Sequence, residues 1–216
     1  MLRSKAMYYW KPFNRRRLMR HYGQFVKPGA LCFDVGAHLG NRSDAWLGLE
    51  AQVVAVEPQP ACIKYLENRF GDHNRFTLVK KAIAAQAGTA HLQVSLLTPT
   101  ITTLADEGWR QKMQDATSFH VQWDQQVAVE TLTLDQLIAT HGLPQFCKID
   151  VEDFEVEALK GLSQPIPTIS IEYFIPTLER AYSCLDLIDA LGPYKYNWSF
   201  GESQHFQSET WLSGPE

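Results

Sequence analysis

The 216-residue sequence predicts an α/β fold built on a doubly wound, mostly parallel sheet. Two observations lead to this class. Short apolar runs rich in β-branched residues alternate with segments whose apolar residues recur at helical spacing, which is typical of parallel strands joined by crossover helices. The runs are apolar throughout, as expected for strands that are covered on both faces.

The first half of the chain contains three predicted strands and two helices. Ile63, Leu66 and Phe70 recur at helical spacing along the second helix, which Gly71 ends. In chain order, the elements are a strand over 31–36, a helix over 41–49, a strand over 53–58, a helix over 60–70 and a strand over 76–84. This order of buried strands and helices indicates a Rossmann-like fold.

The second half adds an antiparallel insertion and completes the sheet. Residues 91–96 and 126–134 alternate in polarity, which predicts an inserted or edge hairpin with one solvent-exposed face. Thr133 and Gln136 predict a capping box for a helix that ends at Gly142. The remaining elements are a strand over 146–152, a helix over 154–160, a strand over 167–174, a helix over 181–191 and closing edge strands within 194–200 and near 211.

Length and charge predict one domain preceded by a basic arm. A chain of this length with 45% hydrophobic residues fits a single core, which we assign to residues 31–216. Residues 1–30 hold eight Lys or Arg and no acid, although the whole chain has a net charge of −4. This arm could contact an anionic membrane surface, nucleic acid or an acidic substrate, or lie on its own acidic body. We favour the last interpretation, and expect no DNA partner, because eight charges are too few for a specific nucleic-acid footprint.

Cysteine spacing and hydropathy predict a cytoplasmic protein. No apolar run reaches the roughly 18 residues of a membrane span, and the N-terminus has no continuous apolar segment of a signal peptide. The cysteines show no paired spacing and are interpreted as reduced thiols. They are Cys32, Cys62, Cys147 and Cys184.

The segment FDVGAHLGNRSDAW, residues 33–46, predicts a ligand-binding turn after the first strand. Ligands of doubly wound sheets bind at the carboxyl ends of the strands, and Gly36 and Gly40 give this turn the form of a nucleotide-binding loop. Asp34 stands where a dinucleotide-binding loop has its first glycine, and a carboxylate there would repel a pyrophosphate. The carboxylate would instead attract a ligand that carries an ammonium and a sulfonium. The loop therefore predicts S-adenosylmethionine rather than a nicotinamide dinucleotide.

Glu57 supplies a second signal for the same cofactor. It ends the second strand, about 20 residues after the loop, where an acid typically accepts hydrogen bonds from ribose hydroxyls. Each signal has a structural alternative, since Asp34 could cap a helix and Glu57 could simply end a strand. Their joint occurrence at this spacing favours cofactor binding.

Five segments together resemble the FkbM family of S-adenosylmethionine-dependent methyltransferases. They are FDVGAHLGNRS, VVAVEPQP, AIA, KIDVEDFEVEALKGL and SIEYF, within residues 33–174. The resemblance implies a Rossmann-like enzyme that methylates a hydroxyl of a sugar, polyketide or other natural product. The sequence departs from the family pattern at His38, where Asn is common, and at Asp153, where Gly is common. The predicted cofactor contacts are Asp34, Gly36, His38, Gly40, Asn41, Glu57, Pro58 and Ala82.

Acidic residues after the fourth and fifth strands predict the catalytic centre. A hydroxyl acceptor must lose its proton as it attacks, which requires a general base. Strand alternation places Lys148, Asp150 and Glu152 on one side. We predict Asp150 as the base or the acid that orients the acceptor, Glu152 and Glu172 as supports, and Lys148 as the residue that orients the acids.

Two alternatives stay open for these acids. Three converging carboxylates could bind Mg²⁺ or another divalent cation, which we do not favour because the acids lack a spacing motif. Lys148 and Asp150 could instead form a buried ion pair, with Glu152 and Asp153 capping the next helix. Residues 100–103 and 196–202 are predicted to face the acceptor, since loops after core strands carry specificity.

The sequence thus predicts an S-adenosylmethionine-dependent O-methyltransferase that acts on a small molecule. The alternatives are a catalytically silent methyltransferase-like binding domain and an RNA methyltransferase, which the basic arm would serve by holding an RNA backbone. A nicotinamide-dependent oxidoreductase is disfavoured by the acidic loop.

Overall fold

The computed structural model describes residues 14–95, 102–104, 107–108, 111, 123, 125–201 and 203–214. The strands are β1 (Leu31–Val35), β2 (Gln52–Val56), β3 (Phe76–Val79), β4 (Ala82–Ile83), β5 (Gly88–Val94), β6 (Gln125–Leu132), β7 (Phe146–Ile149), β8 (Ile169–Ile171), β9 (Lys195–Tyr196) and β10 (Leu212–Ser213). The α-helices are α1 (Asn14–Tyr22), α2 (Asn41–Gly48), α3 (Pro60–Phe70), α4 (Leu134–His141), α5 (Glu155–Leu159) and α6 (Leu178–Asp189). A 3₁₀ turn, Ile175–Thr177, precedes α6.

The central sheet has five parallel strands in the order β3-β2-β1-β7-β8, which confirms the predicted Rossmann-like class. β1 pairs with both β2 and β7, so Val35 is in register with Val56 on one side and Ile149 on the other. The strand order reverses at β1. A crevice therefore opens beyond the carboxyl ends of β1 and β7, where ligands bind in doubly wound sheets.

Alternating side chains of the strands enter two cores, one on each face of the sheet. Phe33 and Val35 of β1 pack into the core beneath α4, α5 and α6, together with Leu137, Leu159 and other apolar residues. Cys32 packs into the opposite core, beneath α1, α2 and α3. Both faces of the sheet are thus covered, which explains why its strands are apolar throughout.

Helix α1 is part of the second core. Leu18 is 1% exposed, and the ring of Tyr22 lies edge-on to Trp46 of α2 at 5.4 Å between centroids. The described part of the predicted basic arm therefore packs on the domain, and residues 1–13 of that arm lie outside the described residues. None of the described helices is long and apolar enough to cross a membrane.

The insertion is an antiparallel hairpin, as predicted. β5 pairs with β6 over seven residues, and Thr133 accepts from the backbone of Gln136 to close the predicted capping box of α4. The predicted single strand over 76–84 is wrong, because it splits into β3 and β4 on either side of Lys80 and Lys81. β4 leaves the central sheet and pairs with β6 instead.

Three further predictions differ from the structure in extent or pairing. The strand over 146–152 ends at Ile149, because Glu152 and Asp153 adopt φ values of 55° and 71° that no strand accommodates. The strand over 167–174 is reduced to β8, which has three residues. The predicted closing strands form, but β9 and β10 pair with each other as a separate sheet, since β8 offers them so short an edge.

Candidate functional site

A cavity of about 700 Å³, including its open mouth, lies at the crevice between β1 and β7. Its walls come from the turn after β1, the residues after β2, the loop after β7 and the hairpin sheet. Five of the predicted cofactor contacts line it, namely Gly36, His38, Glu57, Pro58 and Ala82. Of the predicted catalytic residues, Asp150 and Glu152 line it as well.

Gly36 forms the floor of the cavity, where two backbones approach closely. Its amide donates to the carbonyl of Val56, and the neighbouring Asp150 amide donates to the carbonyl of Val35. Gly36 has a φ of 73°, and a Cβ there would lie 1.8 Å from the carbonyl oxygen of Asp150. No other residue fits this turn, because any side chain would collide with main chain.

Glu57 presents a buried carboxylate to the cavity. It is 6% exposed, and its two oxygens accept from the backbone amides of His38 at 2.7 Å and Gln59 at 2.9 Å. Burial raises the pKa of Glu57 to about 7, and these two hydrogen bonds offset only part of that effect. Each oxygen keeps a further lone pair that could accept from a ligand hydroxyl.

His38 is held beside Glu57 in a left-handed backbone conformation, with a φ of 50°. Burial lowers the pKa of its imidazole to about 4, so the ring is neutral near pH 7. His, like Asn and Asp, adopts this backbone conformation more readily than most residues do.

Asp34 lies behind the loop and does not line the cavity. The side chain is 1% exposed, and its Oδ2 accepts from the amide of Ser43 at 3.0 Å and from the Ser43 hydroxyl at 2.6 Å. Its Oδ1 lies 3.6 Å from the ammonium of Lys148. Asp34 therefore fastens the first turn of α2 to the end of β1, and its charge is balanced within the protein.

Gly40 and Asn41, also predicted to contact the cofactor, do not line the cavity either. Gly40 is the N-cap of α2, with a φ of 75°, and a Cβ there would lie 2.7 Å from the side chains of Leu66 and Phe70. Asn41 is the first residue of α2, and its Oδ1 accepts from the backbone amide of Arg42. Both residues serve the packing and start of the helix.

Lys148 links the loop after β1 to the acids after β7. Its ammonium lies 2.9 Å from Asp150 and donates to the carbonyl of Gly36 at 3.2 Å. Burial alone would lower the pKa of Lys148, but the carboxylates of Asp150 and Asp34 outweigh burial and raise it. The ammonium is thus charged, and the ion pair that the sequence left open is formed.

The carboxylates of Asp150, Glu152 and Glu172 converge at one side of the cavity. One oxygen of each lies within 4.8 Å of an oxygen of the others. Asp150 follows β7 and Glu172 follows β8, and the Glu172 amide donates to the carbonyl of Ile149. Neighbouring parallel strands therefore bring the predicted acids together, although Glu152 arrives through a turn rather than through strand alternation.

The pKa values of Asp150 and Glu172 shift in opposite directions. Burial would raise the pKa of Asp150, but the charge of Lys148 and a hydrogen bond from Glu172 lower it to about 2. The charge of Asp150 raises the pKa of Glu172, whose side chain is exposed at the edge of the cluster. Burial and the neighbouring Asp150 also raise the pKa of Glu152 well above its usual value. Two carboxylates this close cannot both ionise easily, so Asp150 holds the negative charge.

The alternative in which Glu152 and Asp153 cap the next helix does not occur. Phe154 is the N-cap residue of α5 and makes no side-chain cap, whereas Glu155 accepts from the amide of Val151 at 2.8 Å. Asp153 instead lies 2.9 Å from the guanidinium of Arg180 and accepts from Thr177.

Residues that the sequence reasoning missed complete the cavity wall. Gln59 follows Glu57 and donates to the hydroxyl of Thr102, and Thr103 donates to the carbonyl of Glu152 at 2.6 Å. Thr102 and Thr103 belong to the predicted acceptor segment, of which residues 100–101 lie outside the described residues. Other unpredicted lining residues are Lys81, Leu92, Leu104 and Phe154. The position of Leu92 in the cavity wall depends on the pairing of β5 with β6, which local sequence patterns do not reveal.

The other predicted acceptor segment, 196–202, does not line the cavity. Trp198 is 39% exposed, and its carbonyl accepts from the amide of Gln207. This segment therefore contacts the C-terminal residues rather than the site.

Comparisons with known proteins identify a family for this chain. A model of the methyltransferase FkbM domain matches residues 34–208, a range that includes all of the predicted site residues. A search of solved structures finds the precorrin-6y C5,15-methyltransferase from Geobacter metallireducens GS-15, with 13% sequence identity and a TM-score of 0.46. That match covers 92% of this chain and 84% of the other. No curated protein sequence matches.

Proposed function

This chain belongs to the FkbM methyltransferase family, and on that premise we propose that it methylates a hydroxyl of a small molecule, such as a sugar or a natural product, with S-adenosylmethionine as the methyl donor. One observation carries the proposal: a buried carboxylate, Glu57, faces the cavity from the end of β2, and two acids after β7, Asp150 and Glu152, line the same cavity. The Glu57 carboxylate could accept hydrogen bonds from a ribose, and the acids after β7 could accept a hydrogen bond or a proton from a hydroxyl acceptor.

The residues of the cavity fit the cofactor. Glu57 would accept hydrogen bonds from ribose hydroxyls, and Gly36 would let the ligand approach the main chain. His38, Pro58 and Ala82 would line the remaining walls. When bound, S-adenosylmethionine supplies a methyl group on a positively charged sulfur, and the ionised Asp150 supplies a negative charge in the same cavity.

The acids would have different roles toward the acceptor. Asp150, with its lowered pKa, is a weak base, which favours the role of orienting the acceptor through a hydrogen bond from its hydroxyl. Glu152, with its raised pKa, is the stronger base, and its ionised form would take the hydroxyl proton on a carboxylate oxygen. A protonated Glu172 would donate a hydrogen bond to Asp150, and the ammonium of Lys148 holds Asp150 through the ion pair.

Calorimetric titration with S-adenosylmethionine, and separately with NADH, tests the cofactor. We expect saturable binding of S-adenosylmethionine alone, weakened by Glu57→Gln and unchanged by Glu67→Gln. The latter removes the same charge from an exposed glutamate that pairs with Lys80. Binding of NADH alone, or equal binding by both variants, would contradict the proposal.

Transfer of labelled methyl groups to a panel of hydroxylated sugars and natural products tests the reaction. With an accepted substrate, Asp150→Asn should raise the KM for the acceptor, whereas Glu152→Gln should lower kcat.

The second candidate function is a catalytically silent methyltransferase-like domain, which the completed ion pair of Lys148 with Asp150 favours. That domain would bind S-adenosylmethionine and methylate no acceptor.

A further inference from the structure

Helix α1 and the turn after it form a positively charged edge of the domain. Residues 14–29 contain five Lys or Arg and no Asp or Glu. Arg16, Arg17, Arg20 and Lys27 are exposed, while Leu18 and Tyr22 anchor the helix in the core on its other side. The helix thereby keeps Arg16, Arg17 and Arg20 exposed, whereas Arg15 pairs with Asp44 at 3.4 Å.

The C-terminal segment lies directly against this helix. Arg17 donates to the carbonyl of Ser203 at 3.5 Å, and the imidazole of His21 lies 3.1 Å from the carbonyl of Gln204. The ring of Trp211 packs edge-on against Phe25, at 6.0 Å between centroids. The two ends of the described chain therefore build one continuous surface.

That surface carries an unusual share of exposed apolar side chains. Eight large apolar residues are exposed in the described part of the chain, and half of them lie between residues 198 and 212. They are Trp198 (39% exposed), Phe200 (55%), Trp211 (42%) and Leu212 (45%). Exposed apolar side chains that cluster beside cations mark an interaction surface.

We propose that this basic-aromatic face, formed by Arg16, Arg17 and Arg20 with the four apolar side chains of residues 198–212, binds the surface of an anionic lipid bilayer. Guanidinium groups bind phosphate and carboxylate headgroups, and Trp and Phe side chains prefer the headgroup boundary. The apolar side chains gain free energy by entering that boundary, while the arginines are attracted to anionic lipid.

A bilayer fits this face better than RNA does. Leu212 has no ring to stack on a base, yet its exposed side chain lies on the same segment as the two tryptophans. The chain as a whole has a net charge of −4, which opposes an anionic partner of either kind, so the apolar side chains must favour one of them. The exposed acid Glu209 on this segment opposes either partner, and only a bilayer offers apolar burial in compensation.

The face lies at the opposite end of the sheet from the cavity. Phe25 packs against Phe146, the first residue of β7, at 5.9 Å, whereas the cavity begins beyond Ile149 at the other end of that strand. Bilayer binding would therefore leave the cavity mouth accessible. The inference is independent of the proposed methyl transfer, and each can fail without the other.

Co-sedimentation of the full chain with phosphatidylcholine vesicles, with and without phosphatidylserine, tests the inference. We expect binding only to vesicles that contain phosphatidylserine, and weaker binding as ionic strength rises above the roughly 0.15 M of physiological conditions. The double variant Arg16→Gln/Arg20→Gln should lose about fivefold in partition coefficient for each arginine removed. The matched control Lys64→Gln/Lys160→Gln removes two exposed lysines elsewhere and should bind as the unmodified chain does.

The apolar part of the face has its own test. Leu212→Ser should weaken vesicle binding at constant charge, whereas Ile175→Ser, at an exposed position on another part of the domain, should not. Thermal unfolding checks that every variant is folded. No binding to phosphatidylserine vesicles, equal loss in the control variants, or binding to a single-stranded RNA oligonucleotide in place of vesicles would each overturn the inference.

Discussion

Replacing Lys148 by methionine should strongly destabilise the domain, because it removes the cation that two acids share. Lys148 is 7% exposed, and its ammonium lies 2.9 Å from Asp150 and 3.6 Å from Asp34. Methionine keeps the apolar stem but leaves both carboxylates without that cation. Loss of one partner from a buried ion pair costs about 3–5 kcal/mol. Domains are stable by only about 5–15 kcal/mol, so the change is a large share of the total.

Urea denaturation at pH 7 measures this loss. Lys160→Met is the matched control, because Lys160 pairs with Glu157 at 2.6 Å on the surface, where a pair contributes about 0–1 kcal/mol. The double variant Lys148→Met/Asp150→Asn removes one uncompensated charge and should recover part of the loss. A Lys148→Met variant no less stable than the Lys160→Met variant would refute the reasoning.

The pH dependence of stability gives a second measurement of the same pair. Although burial raises it, the pKa of Asp150 is lowered overall to about 2, from an ordinary value of 3.8, chiefly by the charge of Lys148. A carboxyl group with a lowered pKa stabilises the fold above its ordinary value, and that contribution is lost as the pH falls through the folded value. The natural chain should therefore lose stability between about pH 4 and pH 2. The Lys148→Met variant should lose much less over this range.

Three other predictions concern the cavity and its surroundings. S-adenosylmethionine should bind more weakly as the pH falls below about 7, where Glu57 becomes protonated, and calorimetry on Glu57→Gln should show weak binding that no longer varies with pH. Gly36→Ala should abolish cofactor binding or prevent folding, because the new Cβ would lie 1.8 Å from a main-chain oxygen. Its control is Gly29→Ala, at a φ of 79° with open space around it, which should lower the free energy of unfolding by only about 1 kcal/mol in thermal unfolding. Asp153→Ala should cost about 1.5–3 kcal/mol in urea denaturation, because it leaves the guanidinium of Arg180 without its carboxylate; a loss below that of a surface pair would contradict this.

The sequence predicts most of the first half of the fold because its signals are local. The helix over 60–70 has its apolar spacing and terminating glycine within a single segment, and its observed bounds are those predicted. Glu57 follows a strand, β2, whose burial the β-branched run already indicates. Elements of this kind need no distant partner to be recognised.

The contacts of Asp34 could not be predicted from local sequence signals. Its position in the loop is evident from the sequence, but its partners are not, because Lys148 is more than a hundred residues away and reaches Asp34 only through the β1–β7 pairing. The split of the strand over 76–84 could not be predicted for the same reason, since it depends on a strand that is distant in the sequence. The partner of β4 is β6, which lies beyond an insertion that no local pattern at β4 reveals.

Backbone strain around the cavity is the feature that best connects the family resemblance with the geometry of the site. Among the described residues, five other than glycine have a positive φ, and three of these, His38, Glu152 and Asp153, lie in the turns beside the cavity. Such conformations cost about 1–3 kcal/mol each and persist only where surrounding contacts enforce them. His38 and Asp153 are also the two departures from the family pattern, and at Asp153 the Gly of that pattern would adopt this conformation more easily. His and Asp, like Asn, adopt it more readily than most other residues do. The hydrogen bond of the His38 amide to Glu57 and the ion pair of Asp153 with Arg180 hold this backbone in place beside the cavity.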